Sequence, residues 1–151
     1  QVSGRAGRKN EKGSVLIQVA NTRHPVLHFV QQHDYAAFFR YETEGRERFF
    51  YPPYSRIILI TFRHKIKERA SEAAQYFAME LQKELGKYMV GPAEPPVNRV
   101  RNQYLMELLL KIPKDTILLN RCKAILKDQI GLLHQNKKFR SVVIIPNADP
   151  L

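Results

Sequence analysis

Two arginines framed by glycines stand at the beginning of the chain, in the run QVSGRAGR over residues 1–8. A guanidinium binds two phosphate oxygens at once and keeps its charge, and Gly4 and Gly7 let the backbone approach a ligand closely. Arg5 and Arg8 therefore suit a triphosphate, where an arginine stabilises the charge that develops on a transferring phosphoryl group. Gln1 could hydrogen-bond the γ-phosphate or the attacking water. By composition, the same run is also typical of a flexible basic tail.

Three further groups of basic residues fall at the ends of predicted strands and helices. They comprise Arg63, His64, Lys65, Lys67 and Arg69, then Arg99 and Arg101 with Tyr104 close by, and finally Lys137, Lys138 and Arg140. Each lysine or arginine that neutralises a phosphate adds a salt-dependent increment to affinity, and a tyrosine can stack on an unpaired base.

If the loops that carry these groups converge on one rim, they form a nucleic-acid-binding surface. The residues predicted to bind nucleic acid are Arg63, Lys65, Lys67, Arg99, Arg101, Tyr104, Lys137, Lys138 and Arg140. The alternative is that each group is a solvated face that keeps a small domain soluble. No group has the spacing of a base-reading motif, so sequence-specific recognition is not predicted.

Metal, disulfide and membrane chemistry find little support in the residues. His24 and His28 have a spacing that can share a metal on one helix face, but no third ligand is near them, and no metal site is predicted. The single cysteine, Cys122, excludes a disulfide framework and a multi-cysteine zinc site, and we expect it to be a buried core residue. The longest apolar runs are strand-sized rather than membrane-spanning, there is no signal peptide, and we expect a cytoplasmic protein.

The charge distribution and a proline pair divide the chain into two parts. The net charge is +11 and the isoelectric point about 10.0, which favours a polyanionic partner. Residues 1–55 carry 8 basic and 5 acidic side chains, and residues 56–151 carry 17 and 9. Pro52 and Pro53 fit neither a helix interior nor a central strand. We therefore predict one domain over residues 1–50 and another over residues 51–151.

The first part predicts a buried strand over residues 14–20, a helix capped by Asn21 or Thr22 with Pro25 in its first turn, and a helix over residues 34–48. One strand and two helices cannot bury a core of their own. We interpret this part as the edge of a domain whose remainder lies outside the sequence.

The second part has the pattern of a complete domain. The predicted elements are a strand over 56–62, a helix over 65–87, an extended segment at 89–90, a strand over 103–112, a helix capped by Asp115 or Thr116, and a strand over 141–145 that Pro146 ends. The order β-α-β-β-α-β predicts an α+β fold, a ferredoxin-like split βαβ sandwich with two helices on one face of a four-stranded antiparallel sheet.

The run over residues 1–8 resembles motif VI of superfamily 2 helicases, Q-x-x-G-R-x-G-R, with Ser3 where the family has alanine. The rest of the chain is similar to the primosomal protein N′ family of bacterial replication-restart helicases. The similar segments are GSVLIQV at 13–19, HPVL at 24–27, YPPY at 51–54, GPA at 91–93, the strand at 104–111 and the closing Asp149-Pro150. The resemblance covers the whole chain and identifies it as the C-terminal fragment of such a helicase.

The resemblance implies an ATP-dependent 3′→5′ DNA helicase that recognises stalled or branched replication forks and restarts replication by primosome assembly. It implies that residues 1–50 end a second RecA-like lobe. In the full-length protein, Gln1, Gly4, Arg5, Gly7 and Arg8 would then contact the phosphates of ATP with its Mg²⁺, Arg5 or Arg8 serving as the arginine finger. The C-terminal domain is implied to contact forks and single-stranded DNA, and to help bind the single-stranded DNA-binding protein and other primosome proteins.

The sequence lacks a phosphate loop, an acidic metal-binding motif and the family's cysteine-rich zinc module. We therefore expect no cofactor on this fragment, and neither ATP hydrolysis nor unwinding by the fragment without the rest of the helicase.

Two other classes of protein are compatible with the fold. One is a free-standing ferredoxin-like RNA- or ribosome-binding protein with a basic N-terminal tail, against which the absent initiator methionine and the coreless first 50 residues argue. The other is a small enzyme, which no paired carboxylates, Ser/His/Asp set or metal cluster supports.

Overall fold

The computed structural model describes residues 13–150 of the chain. The chain divides into two compact units, Gln1–Glu42 and Thr43–Leu151. The predicted division into residues 1–50 and 51–151 stays a prediction.

Helix α1 (Pro25–Gln32) and the beginning of helix α2 (Tyr35–Arg48) form the regular structure described in the first unit. The Phe29 ring of α1 packs against the Tyr41 ring of α2, with their centroids 5.5 Å apart. Pro25 is in the first turn, as predicted. The cap is His24, whose Nδ1 accepts a hydrogen bond from the backbone N–H of Val26, and the prediction of Asn21 or Thr22 as the cap is wrong.

The strand predicted over residues 14–20 is also wrong, because this segment forms no strand and is exposed along its length. Leu16 is 98% exposed. A strand requires a neighbouring strand to satisfy its backbone N–H and C=O groups. The described residues of the first unit provide helices and no such neighbour.

In the described part of the second unit, residues 43–150, there are five strands and two helices besides the end of α2. They are β1 (Ser55–His64), α3 (Lys67–Leu85), β2 (Met89–Ala93), β3 (Arg99–Val100), β4 (Gln103–Pro113), α4 (Thr116–Gln135) and β5 (Val143–Ala148). A single 3₁₀ turn, Gly86–Tyr88, joins α3 to β2. Asp115 caps α4, as the sequence predicted, since its carboxylate accepts hydrogen bonds from the backbone N–H groups of Ile117 and Leu118.

The strands form one antiparallel sheet in the order β2-β4-β1-β5. Strands β1 and β4 are central and pair from Ser55 opposite Pro113 to His64 opposite Tyr104. This order confirms the α+β fold and the split βαβ arrangement predicted from the sequence.

Two features of the sheet differ from the prediction. The short strand β3 pairs with the start of β4, so the sheet has five strands rather than four. Strand β5 does not end at Pro146 but continues to Ala148, with Pro146 opposite Ile60. An edge strand tolerates a proline when the missing N–H faces away from the neighbouring strand, and β5 is an edge strand.

The core lies between the two helices and one face of the sheet. Helix α3 buries all seven residues that the 3.6-residue period predicted: Ala70, Ala73, Ala74, Phe77, Ala78, Leu81 and Leu85. The sheet contributes alternate residues of β1 and β4 to the same cluster: Ile58, Ile60, Phe62, Met106, Leu108, Leu110 and Ile112. Cys122 of α4 is fully buried, which confirms its predicted place, and burial raises the pKa of its thiol. This core fixes the ends of the strands from which the basic loops emerge.

Candidate nucleic-acid interface

The strand register brings the three basic segments to one end of the sheet. Arg63, near the end of β1, lies opposite Val143 at the start of β5. His64 lies opposite Tyr104, which in turn lies opposite Arg99 of β3. The three segments therefore lie at the same end of the sheet, an arrangement that the sequence left open. We call this end the basic rim, defined by Arg63, Lys65, Lys67, Arg99, Arg101, Tyr104, Lys137, Lys138 and Arg140.

The first segment of the rim is the connection from β1 to α3. The Nδ1 atom of His64 accepts a hydrogen bond from the backbone N–H of Ile66, at 3.0 Å. This contact turns the chain between the strand and the helix, which begins at Lys67. Lys65 lies in the turn and is exposed.

The second segment is the hairpin between β3 and β4. Arg101 and Asn102 form its two-residue turn with φ angles of 48° and 61°, the left-handed conformations that tight hairpin turns require. Arg99 donates a hydrogen bond to the side-chain oxygen of Asn102, and its guanidinium lies 5.1 Å from the centroid of the Tyr104 ring. The hairpin thus presents Arg101 at its tip and holds Arg99 against Tyr104.

The third segment is the loop from α4 to β5. Phe139 anchors it, since this side chain is 4% exposed and its ring lies 5.6 Å from that of Tyr76 on α3. The backbone N–H of Lys138 donates to the side chain of Asn136. The flanking Lys137 and Arg140 are exposed, so the buried phenylalanine orders a loop whose charged residues face solvent.

Some cations of the rim are already paired within the protein. Lys67 forms an ion pair with Glu94 at 2.5 Å, and Lys138 forms one with Glu72 at 3.1 Å. The hydrogen bond with Glu94 raises the pKa of Lys67, and the same bond, followed by one from Asn98, lowers the pKa of Glu94. Lys67 therefore links the start of α3 to the segment after β2, and Lys138 links the loop between α4 and β5 to α3.

Four other cations of the rim have no such partner in the described part of the chain. Among residues 13–150, no ion pair or side-chain hydrogen bond engages Lys65, Arg101, Lys137 or Arg140. All four are exposed.

Arg63 is half-buried, and its Nε, itself buried, lacks a hydrogen-bond partner among the described residues. An unsatisfied buried donor costs free energy. The sequence could not reveal which cations of the rim are paired, since the carboxylates that pair with them come from other elements.

Other predicted sites have a different outcome. Gln1, Gly4, Arg5, Gly7 and Arg8 lie outside the described residues, so their contacts with ATP and Mg²⁺ stay predictions. Within residues 13–150 there is no group of three or more His, Cys, Asp or Glu side chains placed to hold a metal ion. No helix in that range is both long and apolar enough to cross a membrane.

The fold and the rim together define a ferredoxin-like α+β domain with one strongly basic end. Residues 47–151 match the family described as Primosomal protein N C-terminal domain, and the chain belongs to that family. The resemblance stated from the sequence is therefore confirmed.

Relatives from several bacteria have similar sequences. The Replication restart protein PriA of Synechocystis is 36% identical over 137 residues, which cover 87% of this chain and 16% of that protein. Its counterpart in Treponema pallidum is 37% identical over 75% of this chain, and that in Bacillus subtilis 33% identical over 97%, each match covering 18% of the relative. The chain thus spans 16–18% of the length of these relatives.

Proposed function

We propose that this chain is a DNA-binding C-terminal part of a replication-restart protein, and that the basic rim is its DNA contact. Membership of the primosomal family and the names of its relatives support a role in replication restart. In the proposal, the whole protein is an ATP-dependent 3′→5′ DNA helicase that recognises stalled or branched forks and assembles the primosome. The single-stranded DNA-binding protein and other primosome proteins are its proposed partners.

The DNA contact is proposed mainly because four exposed cations lie at one end of the sheet. None of the four has an ion pair within residues 13–150. Lys65, Arg101, Lys137 and Arg140 come from three separate loops, and the protein itself offers them no counterion in the described range. Phosphates of a nucleic-acid backbone supply such counterions, and each contact steepens the dependence of log K on log salt by about 0.9 for duplex DNA. Four contacts correspond to a slope of about −3.6.

The rim favours contacts with phosphates over contacts with bases. The residues of β1 and β4 on the face away from the helices include no aromatic ring: Ile57, Leu59, Thr61, Arg63, Leu105, Glu107, Leu109 and Lys111. The Tyr104 ring already has the Arg99 guanidinium beside it. Stacking of successive bases needs exposed ring faces, so we expect affinity to depend little on base sequence.

In the whole protein, we propose that Gln1, Gly4, Arg5, Gly7 and Arg8 contact the triphosphate of Mg²⁺-bound ATP. ATP hydrolysis then requires the lobe that carries the phosphate loop. Replacing Arg5 or Arg8 by alanine in the full-length protein is expected to abolish ATP-driven unwinding and to spare DNA binding. Loss of both activities together would contradict this assignment.

A fluorescence anisotropy titration tests the DNA contact. The probes are a duplex, a fork and a single strand of related sequence, measured over a series of salt concentrations, with an RNA duplex for comparison. The proposal predicts salt-dependent binding with a slope near −3.6 for the duplex, the value for about four phosphate contacts. A flat salt response would contradict the rim, and a preference for RNA would favour the RNA-binding alternative.

A further inference from the structure

Two carboxylates stand among the cations of the basic rim and hold two of its lysines. Glu94 lies between β2 and β3, and one of its oxygens is 2.5 Å from the Nζ atom of Lys67 at the start of α3. Glu72 of α3 lies 3.1 Å from the Nζ atom of Lys138, in the loop between α4 and β5. The rim therefore contains ion pairs beside cations that lack one in the described range.

Glu94 is fixed in its place by a second contact. Its other carboxylate oxygen accepts a hydrogen bond from the side-chain nitrogen of Asn98 at 3.1 Å. The carbonyl oxygen of Asn98 in turn accepts one from the backbone N–H of Leu105 on β4, at 2.8 Å. The hydrogen bond from Lys67 is the main reason why the pKa of Glu94 lies below its usual value. Glu94 is therefore a charged group that the fold holds near the hairpin between β3 and β4.

The two paired lysines adjoin the cations proposed to bind DNA. Lys67 follows Lys65 by two residues, and Lys138 stands between Lys137 and Arg140 in one loop. A DNA backbone that contacts the exposed cations therefore runs close to both ion pairs. The four side chains that form these pairs are themselves 38–50% exposed, so phosphates can reach them.

A carboxylate and a phosphate compete for the same ammonium group. Lysine carries its charge on a compact ammonium, and the release of counterions that favours DNA binding requires that charge at a phosphate. If Lys67 or Lys138 turned to the DNA, its glutamate would leave an unpaired negative charge beside the backbone, where like charges repel. The ion pairs therefore withhold two lysines from the DNA.

We propose that Glu94 and Glu72 are autoinhibitory residues of the basic rim, which keep Lys67 and Lys138 away from DNA and so limit the affinity of the chain for it. The inference rests on the proposed function of the rim. Removing both carboxylates frees two lysines for phosphate contacts. Each contact steepens the salt slope by about 0.9 and raises affinity about eightfold at 0.1 M salt.

The test compares the 151-residue chain with the glutamate variant, which carries Glu72→Gln and Glu94→Gln. Fluorescence anisotropy measures the affinity of each protein for a DNA duplex over a salt series. A further variant adds Lys67→Gln and Lys138→Gln to the glutamate variant, so that its net charge equals that of the wild type. Ion pairs between exposed side chains contribute little to stability, and urea unfolding verifies that each variant is folded.

The matched control breaks two other exposed ion pairs and removes the same charge. It carries Glu80→Gln and Glu84→Gln, near the other end of α3. Glu80 pairs with Lys83 at 3.5 Å, and Glu84 pairs with Arg121 at 3.0 Å. The control therefore frees two cations away from the basic rim.

The slope for duplex DNA is expected to change from about −3.6 in the wild type to about −5.4 in the glutamate variant, with an affinity about sixtyfold higher at 0.1 M salt. The control is expected to stay near the wild-type values, and the variant that also lacks the two lysines is expected to lose the gain. No gain in the glutamate variant, an equal gain in the control, or a gain that persists without the lysines would overturn the proposal. Absence of binding by the wild type and by every variant would instead contradict the DNA contact at the basic rim.

Discussion

The sharpest perturbation that the structure offers is to neutralise four cations of the basic rim. These four lack an ion pair in the described range. The variant carries Lys65→Gln, Arg101→Gln, Lys137→Gln and Arg140→Gln, all at exposed side chains. Loss of four phosphate contacts lowers the salt slope for duplex DNA by about 3.6 units and weakens binding at 0.15 M salt by about three orders of magnitude. Anisotropy titrations over a salt series measure both quantities.

The matched control removes the same number of charges away from the rim. It carries glutamine at Lys83 and Lys87, near the end of α3, at Lys114, just after β4, and at Lys123 of α4, all of which are exposed. The control is expected to retain most of the slope and affinity. Equal losses in the two variants would contradict the DNA contact at the basic rim, because net charge rather than a defined surface would then govern binding.

Three further predictions concern the fold that positions the rim. Phe77→Ala empties a site that is 1% exposed, beside the Phe62 ring, and is expected to lower the free energy of unfolding in urea by about 3–5 kcal/mol; a loss below about 1 kcal/mol would contradict the core. Asp115→Ala removes the cap of α4 and is expected to cost about 1 kcal/mol, whereas Asp115→Asn should cost little. The pKa of Asp149 is held below its usual range, first by the hydrogen bond from the backbone N–H of Ile57 and second by the Arg56 guanidinium. The ionised carboxylate therefore stabilises the fold above the ordinary carboxyl pKa, and this contribution disappears as pH falls through the lowered pKa. Stability should accordingly fall more steeply for the wild type than for Asp149→Asn between about pH 5 and pH 2, and equal declines would contradict the contact.

The second unit could be predicted from the sequence because its periods are strong and its signals agree. The apolar residues of α3 recur at helical spacing, and every one of them is buried. The strands β1 and β4 are long enough to be identified without knowledge of their pairing. The failures involve short or edge segments, such as β3 and the part of β5 beyond Pro146, where pairing with a neighbour decides the structure.

The basic residues of the rim could be named from the sequence, but their separate roles could not. Lys67 and Lys138 pair with Glu94 and Glu72, which only the tertiary structure brings near them. The contact of His64 with Ser141 likewise joins two segments that are distant in the chain. Local patterns report which residues are charged, whereas the register of the sheet decides which charges are paired.

The most direct test of the account is a map of amide chemical-shift changes in the isotope-labelled chain as unlabelled duplex DNA is added. The largest changes are expected in the three segments of the basic rim, at residues 63–66, 99–102 and 137–141. Largest changes at the opposite end of the sheet, around Arg56 and Lys114, would contradict the claim that the rim is the DNA contact.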